Sequence, residues 1–564
     1  MSTDKLKPML FSNMKHYSKK QFLHDVISGV IVAIIALPLS IALALASGVA
    51  PQQGIYTAIV AGFLISFLGG SRVQIAGPTA AFATIVAGIV ARNGMDGLVW
   101  ATILAGILMI LMGLCRLGRL IRIIPYTITT GFTAGIAVTI LIGQLKDFFG
   151  LTYAEGLSPI ETTEKMEAFF ASISTINWQA AAVGTICFLL IAFWPRMCRR
   201  IPHHKTAKLL SMMPPSLLAV FLGIFLVKGL HLQVNTIGDL YTINSSLPAV
   251  HLPAFSFKTL QNVISDAFVI AILASIESLL SCVVADTMVN SHHRSNMELI
   301  AQGIGNIGSA LFGGIPATGA IARTAANVKN GGRTPVAGMV HAIVLLLVLV
   351  ILMPYAALIP MPTIAAILFM VAYNMCQWRP FLHLVKTAPK SDIIVLVLTF
   401  VLTILFDLVV AIEFGMLAAG LLFLKRMSEE TEIHSWKYID EDDPDNSDPD
   451  NISLRRIPLH VRVYEINGPL FFGAASCIGD ITVKDYTKCL ILRMRSVPAL
   501  DATAMHSLEE LYARCKKRGT TIIFSHVNEQ PMATMRKAGF IELVGEENFC
   551  KNIDTALERA KQLQ

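Results

Sequence analysis

Two short stretches, Gly77-Pro78-Thr79-Ala80 and Ile315-Pro316-Ala317-Thr318-Gly319-Ala320, interrupt long apolar runs at matching places in the two halves of the first 425 residues. Proline lacks a backbone N–H and glycine admits dihedrals closed to other residues. Each stretch therefore predicts extended backbone leading into a short half-helix. Backbone that irregular persists at membrane depth only where protein or a wet cavity surrounds it. Two half-helix N-termini, each carrying roughly +0.5 of an elementary charge, then face a common point and favour an anion there. The plainer alternative is a pair of packing kinks, because Gly and Pro are frequent in transmembrane helices. The matching positions of the two breaks favour a site.

Only 15% of the 564 residues are charged and 54% are hydrophobic, which excludes an ordinary soluble enzyme and predicts a polytopic membrane protein with a soluble tail. The net charge of +7 sits in short loops between apolar runs, a pattern that sets orientation and does not describe a nucleic-acid surface. A span needs about 20 apolar residues, fewer where helices are broken. Spans fall near 25–47, 54–69, 74–92, 97–114, 122–143, 178–195, 212–230, 262–286, 297–313, 316–330, 336–353, 362–377, 391–407 and 409–425. Several are too short to cross alone. Loops expected on the cytoplasmic side hold Arg72; Arg116, Arg119 and Arg122; Arg196, Arg199, Arg200, Lys205 and Lys208; Arg294; Lys329 and Arg333; and Arg379, Lys386 and Lys390. The intervening loop at 146–177 carries Asp147, Glu155, Glu161, Glu164 and Glu167, so both termini are expected inside. The first run follows Lys5, Lys7, Lys15, Lys19 and Lys20 without a convincing cleavage site and reads as a retained helix.

About fourteen spans divide into two sets of seven, and an odd set must lie inverted relative to the other. Leu68-Gly69-Gly70 before the first break and Phe312-Gly313-Gly314 before the second echo that relation faintly. The chain thus divides into a cytoplasmic N-terminal segment (1–24), a membrane domain (25–425), a charged linker (426–454) and an α/β tail (455–564). The linker is expected to be flexible because Asp440 to Asp450 is rich in Asp, Pro and Asn. The tail reads as strands at His460–Ile466, Cys489–Met494 and Thr521–Phe524, with helices over Thr503–Lys517, near 531–538 and near 553–563.

Ionisable residues inside spans are costly and call for a functional explanation. Arg323 lies about a turn and a half into the second half-helix, and its planar fork suits a carboxylate or oxyanion. The alternatives are a structural pair with a carboxylate or snorkelling to the cytoplasmic side. Glu277, between Ser275 and Ser278, is a candidate carrier of a coupling proton, a ligand for sodium if ionised, or a structural partner of Arg323. Thr79, Thr318 and neighbouring amides can donate to substrate oxygens, and Ala80, Ala81, Gly319 and Ala320 allow close approach, though small residues also serve helix packing. Ser40 either lines the same cavity or packs. Asp286, Asp407 and Glu413 lie near span ends, where solvated or capping roles are expected. Nine scattered cysteines show no CxxC pair, His292 and His293 have no partners at ligand spacing, and no metal or cofactor is expected. A Walker loop, a nucleophile elbow and an HExxH are all missing, so the chain does not read as an enzyme, and either its energy comes from a gradient or transport is passive.

The chain resembles the SulP family of anion permeases over essentially its whole length. The resemblance rests on Ala36-Leu-Pro-Leu-Ser-Ile-Ala-Leu-Ala-Leu-Ala-Ser-Gly48, on Gly69 to Ala80, on Ile276-Glu-Ser-Leu-Leu280 and on Phe312 to Thr324 with Gly331-Gly-Arg-Thr-Pro335. The tail is similar to a STAS domain, with Val497-Pro-Ala-Leu-Asp-Ala-Thr-Ala504 before a helix. The resemblance implies a seven-plus-seven inverted repeat with core and gate domains, an elevator-like movement, and a homodimer in a bacterial inner membrane. It places substrate between the third and tenth helices, here Gly77, Pro78, Thr79, Ala80 and Ala81 with Thr318, Gly319, Ala320, Ala322 and Arg323, and the coupling ion at Glu277. Many relatives carry serine where this chain has Ala322, which removes one hydroxyl. Ile34–Ser47, Ala388-Pro-Lys-Ser-Asp392 and Gly468-Pro-Leu-Phe-Phe472 look most like the bacterial C4-dicarboxylate branch, implying proton-coupled uptake of succinate, fumarate or aspartate. Bicarbonate or sulfate transport, with protons or sodium, remains open, as does an anion sensor signalling through the tail to a cytoplasmic protein. In free STAS proteins a hydroxyl at the place of Thr503 is phosphorylated; an N-cap role for Asp501 or Thr503 is the simpler expectation.

Overall fold

The computed structural model describes residues 6–563 apart from 15–16, 119–124, 155–158, 160, 200–212, 244–245, 254–256, 407, 437–456, 482 and 484–485. Lys5, Lys15, Arg119, Arg122, Glu155, Arg200, Lys205, Lys208, Asp407 and the Asp440–Asp450 run lie outside the described residues. The chain forms two compact units, Met1–Met416 and Leu417–Gln564.

The first unit is helical. Its main helices are α1 (Lys19–Ala46), α2 (Pro51–Leu68), α3 (Ala83–Leu114), α4 (Tyr126–Gly143), α5 (Trp178–Arg199), α6 (Pro215–Gly229), α7 (Phe257–Val289), α8 (Ser295–Leu311), α9 (Ile321–Lys329), α10 (Val336–Ala356), α11 (Met361–Cys376), α12 (Trp378–Thr387) and α13 (Lys390–Leu405). A fourteenth, α14 (Leu408–Glu429), runs from the first unit into the second. Among the described residues, eight helical stretches are long and apolar enough to cross a membrane. The expected spans 74–92 and 97–114 meet at Gly94, where φ of 67° and ψ of −173° leave the helical region and break α3 into two segments; only glycine adopts that φ at little cost. The expected span 316–330 is shorter than its apolar run: extended backbone fills its first part and the nine-residue α9 the rest. Close approach between helices comes from small residues. Gly106 of α3 and Gly303 of α8 each lie against the other's carbonyl oxygen, so a Cβ on either would force the pair apart.

Ahead of α3 and α9 stand two short strands, β1 (Ala76–Gly77) and β2 (Thr318–Gly319). They pair antiparallel, Ala76 opposite Gly319 and Gly77 opposite Thr318. The two predicted breaks therefore meet, in the sense that an inverted repeat requires.

The second unit carries a five-stranded sheet, β3 (Glu432–Trp436), β4 (Val461–Asn467), β5 (Cys489–Ser496), β6 (Thr521–Ser525) and β7 (Phe549–Cys550), in sequential order. The pair β3–β4 is antiparallel and the others are parallel. Alternation along β5 sends Leu490 and Leu492 to one face and Cys489 and Ile491 to the other, and each face has its own apolar core. On the first face lies α15 (Ala502–Lys517), on the second α17 (Ile553–Gln562); α16 (Glu529–Lys537) completes the layer. Strand β3 falls within 426–454, the stretch expected to be a charged linker, where no strand was expected. Its polar sequence carries no strand signal of its own, and backbone pairing with the buried β4 fixes it. All nine cysteines are free, and burial pushes the Cys515 thiol up to about 11, which keeps it an inert core residue.

Candidate functional site

The paired breaks are held by side chains from both sides. Asn306 of α8 grips Ala317 with its amide, accepting from the Ala317 N–H at 2.8 Å and donating to its carbonyl at 2.9 Å. Thr57 of α2 accepts from the Ile315 N–H at 2.7 Å and donates to the Ile315 carbonyl at 3.1 Å. Glu298, fully buried at the start of α8, accepts from the Gly70 and Ser71 N–H groups leading into the first break. Thr324 of α9 accepts from the Ile75 N–H at 3.0 Å, and Asn327 donates to the Val73 carbonyl at 2.8 Å. Each break thus borrows donors and acceptors from the rest of the fold to replace the helical bonds that Gly and Pro remove.

Glu277 on α7 closes the arrangement. A single carboxylate oxygen, Oε2, accepts from the Thr79 hydroxyl and the Thr318 hydroxyl, each at 2.9 Å. Ser278, the next residue, accepts from the Gly319 N–H at 3.1 Å. Arg323 donates from Nη2 to the Pro78 carbonyl at 2.7 Å and is only 3% exposed. No ion pair joins Glu277 to Arg323, so the expected structural pair is not what this structure contains. The guanidinium instead braces the first break from behind. A Cβ on Gly77 would meet Arg323 Nη1, so a side chain there would displace the guanidinium. Glu277 and Thr79 are half-buried and Ala322 is exposed, whereas Arg323, Thr318 and Pro78 are buried.

Ala80, Ala81, Gly319 and Ala320 are buried at the break ends as close-packing residues. Ser40 makes no hydrogen bond to this network. It is fully buried, its carbonyl is pressed against Gly54 of α2, and its hydroxyl has no hydrogen-bond partner. Thr503 is exposed at the second position of α15, and the helix is capped by Asp501, which accepts from the Ala504 N–H at 2.8 Å. Asp286, expected in a solvated or capping role, bonds the His293 ring at 2.7 Å and its backbone N–H at 2.8 Å. A cavity of about 580 Å³ begins one turn from Glu277 and is lined by Thr129 of α4 and by Ile276, Leu280, Val283, Asp286 and His292 among others. A second cavity, about 520 Å³, lies among Gly48, Gln53, Tyr56 and Phe312, away from Glu277 and Arg323. No group of three or more potential metal ligands occurs among the described residues.

Three further ionisable residues in or at the edge of predicted spans were not candidates: Asp25, Glu298 and His341. All are fully buried. The rule that flags Glu277 applies equally to them, and their nearness to span ends masked the signal. Asn306 and Thr57 gave no signal, since a lone amide or hydroxyl in an apolar run is ordinary.

Two helices left irregular at the centre of a membrane bundle, with their broken ends paired and shielded by other helices, are how helical transporters make room for a solute. The fold defines the chain as a multi-pass membrane transporter. Residues 22–399 match the sulfate permease family and residues 451–556 the STAS domain, and the chain belongs to that family of anion transporters. It is 37% identical to YvdB of Bacillus subtilis over 97% of its own length and 99% of that protein's. It is 30% identical to the bicarbonate transporter BicA of Synechocystis, covering 98% and 96% of the two chains. Its fold is similar to that of the murine anion transporter Slc26a9 in the inward-facing state, with a TM-score of 0.85, 18% identity, and 99% and 94% of the chains covered.

Proposed function

We propose that the chain is a secondary active transporter that carries a small anion past the β1–β2 junction by an elevator-like movement, with a proton or sodium ion exchanged at Glu277. The observation that carries this reading is the single carboxylate oxygen shared by Thr79 and Thr318, one hydroxyl from each break. Loading Glu277 alters the hydrogen bonds of both breaks together, so an ion and an anion there are thermodynamically linked. The half-helix dipoles and the buried guanidinium supply the positive field.

A small oxoanion suits this set of residues better than the C4-dicarboxylate implied by the family branch. A dicarboxylate wants two cationic contacts, and the one arginine of the site is turned inward onto Pro78. Bicarbonate is further supported by the identity with BicA, and sulfate by the family's own name. Uptake of labelled bicarbonate, sulfate and succinate into proteoliposomes, at two pH values with and without sodium, tests the reading. No accumulation of any of them would leave the sensor alternative. Further parts of the proposal are a dimer in a bacterial inner membrane with both termini in the cytoplasm, a membrane domain over 25–425, and regulation at Thr503. A phosphate on Thr503 would sit on the N-terminus of α15.

A further inference from the structure

Arg323 keeps one nitrogen on Pro78, while its Nη1 is buried without a hydrogen-bond partner. Buried polar groups left unpaired are rare in native folds, and this one belongs to a permanent cation. A second such group stands in the same region. His341 on α10 is fully buried and both its ring nitrogens lack partners. Its surroundings follow from the packing of α10. Gly338, on the same helical face one turn earlier, lies against the Ser66 hydroxyl of α2 and within 3.4 Å, measured from a Cβ built on it, of Ile75 at the first break. Gly62, one turn before Ser66, faces the Ala76 carbonyl. The imidazole therefore stands behind the break that the guanidinium braces.

We propose that His341 is a positioning residue for Arg323: its neutral ring accepts, through one bridging water, the N–H that Nη1 leaves unpaired, and so keeps the guanidinium on Pro78 while an anion enters and leaves. A neutral imidazole owns one acceptor and one N–H, so a water between the two groups can take the Nη1 donor and donate to the ring. A protonated ring would lose its acceptor and set a second cation beside the first. Such a residue touches no substrate. It acts on affinity through Arg323, and so it rests on the reading of Arg323 as part of the anion site.

The test is the concentration dependence of bicarbonate and sulfate uptake in proteoliposomes for the parent, His341→Leu, His341→Asn and Arg323→Ala, with thermal midpoints recorded for each. His341→Leu is expected to raise KM about tenfold with little change in maximal rate. His341→Asn, which keeps a donor and an acceptor, is expected to recover most of that loss. An unchanged KM in His341→Leu overturns the proposal, as does equal damage by both variants to rate and midpoint, which is what a packing residue would show. If His341→Leu does not survive purification, His341→Phe replaces it under the same criterion. Normal uptake by Arg323→Ala would remove the anion-site reading itself, whereas an inactive Arg323→Ala beside an unchanged His341→Leu refutes the role of His341 alone.

Discussion

Glu277 concentrates at one oxygen what the two halves of the fold offer. Replacing that carboxylate by an amide keeps the size and one acceptor but removes the charge that a proton or sodium ion would neutralise. Glu277→Gln is expected to lose accumulation driven by a pH or sodium gradient while retaining anion exchange across loaded vesicles; accumulation equal to the parent's would exclude a coupling role. Asp25 makes a contrasting case. It is fully buried and accepts from the Tyr17 and Thr334 hydroxyls, the Gln21 amide and the Arg333 N–H. Asp25→Ala strands the Arg333 N–H and the Thr334 hydroxyl, at about 1–3 kcal/mol for each buried group left unpaired. The expected outcome is a lowered thermal midpoint with the KM for anion unchanged. Of these residues the sequence discloses Glu277 and Arg323, because a charge in an apolar run is conspicuous. It does not disclose where Arg323 points, since the carbonyl that receives it lies 245 positions away in the chain.

At the scale of elements, the breaks work because their glycines admit neighbours that a side chain would exclude. A Cβ on Gly319 would strike the Gln74 amide and come within 3.2 Å of the Ser278 backbone. Gly319→Ala is therefore expected to push β2 from α7 and lower uptake at least about tenfold with the protein still folded, as judged by size-exclusion profile and midpoint. Asn306→Ala leaves both polar groups of Ala317 unpaired, about 1–3 kcal/mol each, and is expected to reduce stability and uptake together. The breaks themselves were legible, since Gly and Pro announce interrupted backbone. The clamp was not, because nothing in a lone asparagine says which carbonyl it will meet. The break at Gly94 between two expected spans was legible for the same reason as the paired breaks, since a glycine within an apolar pattern marks a place where the helix can stop. Strand β3 escaped because an edge strand takes its conformation from its neighbour.

For the whole molecule, the division into two compact units makes a mechanical prediction. The tail has apolar cores on both faces of its sheet, independent of any membrane helix. A fragment beginning near 457 is expected to fold alone and unfold in a single cooperative transition. Leu492→Ala, which removes a fully buried side chain, should cost that transition about 2–5 kcal/mol in chemical denaturation. Broad organisation of this kind was readable from composition alone, because apolar runs and α/β alternation occupy separate parts of the chain. The hold of Arg323 on the Pro78 carbonyl has one more consequence. On the proposed reading, a cation built into the wall would reach its guest as a field and not as a grip, attracting without clasping. Such a site would do little to tell apart ions of equal size and charge, and would let each passenger go quickly.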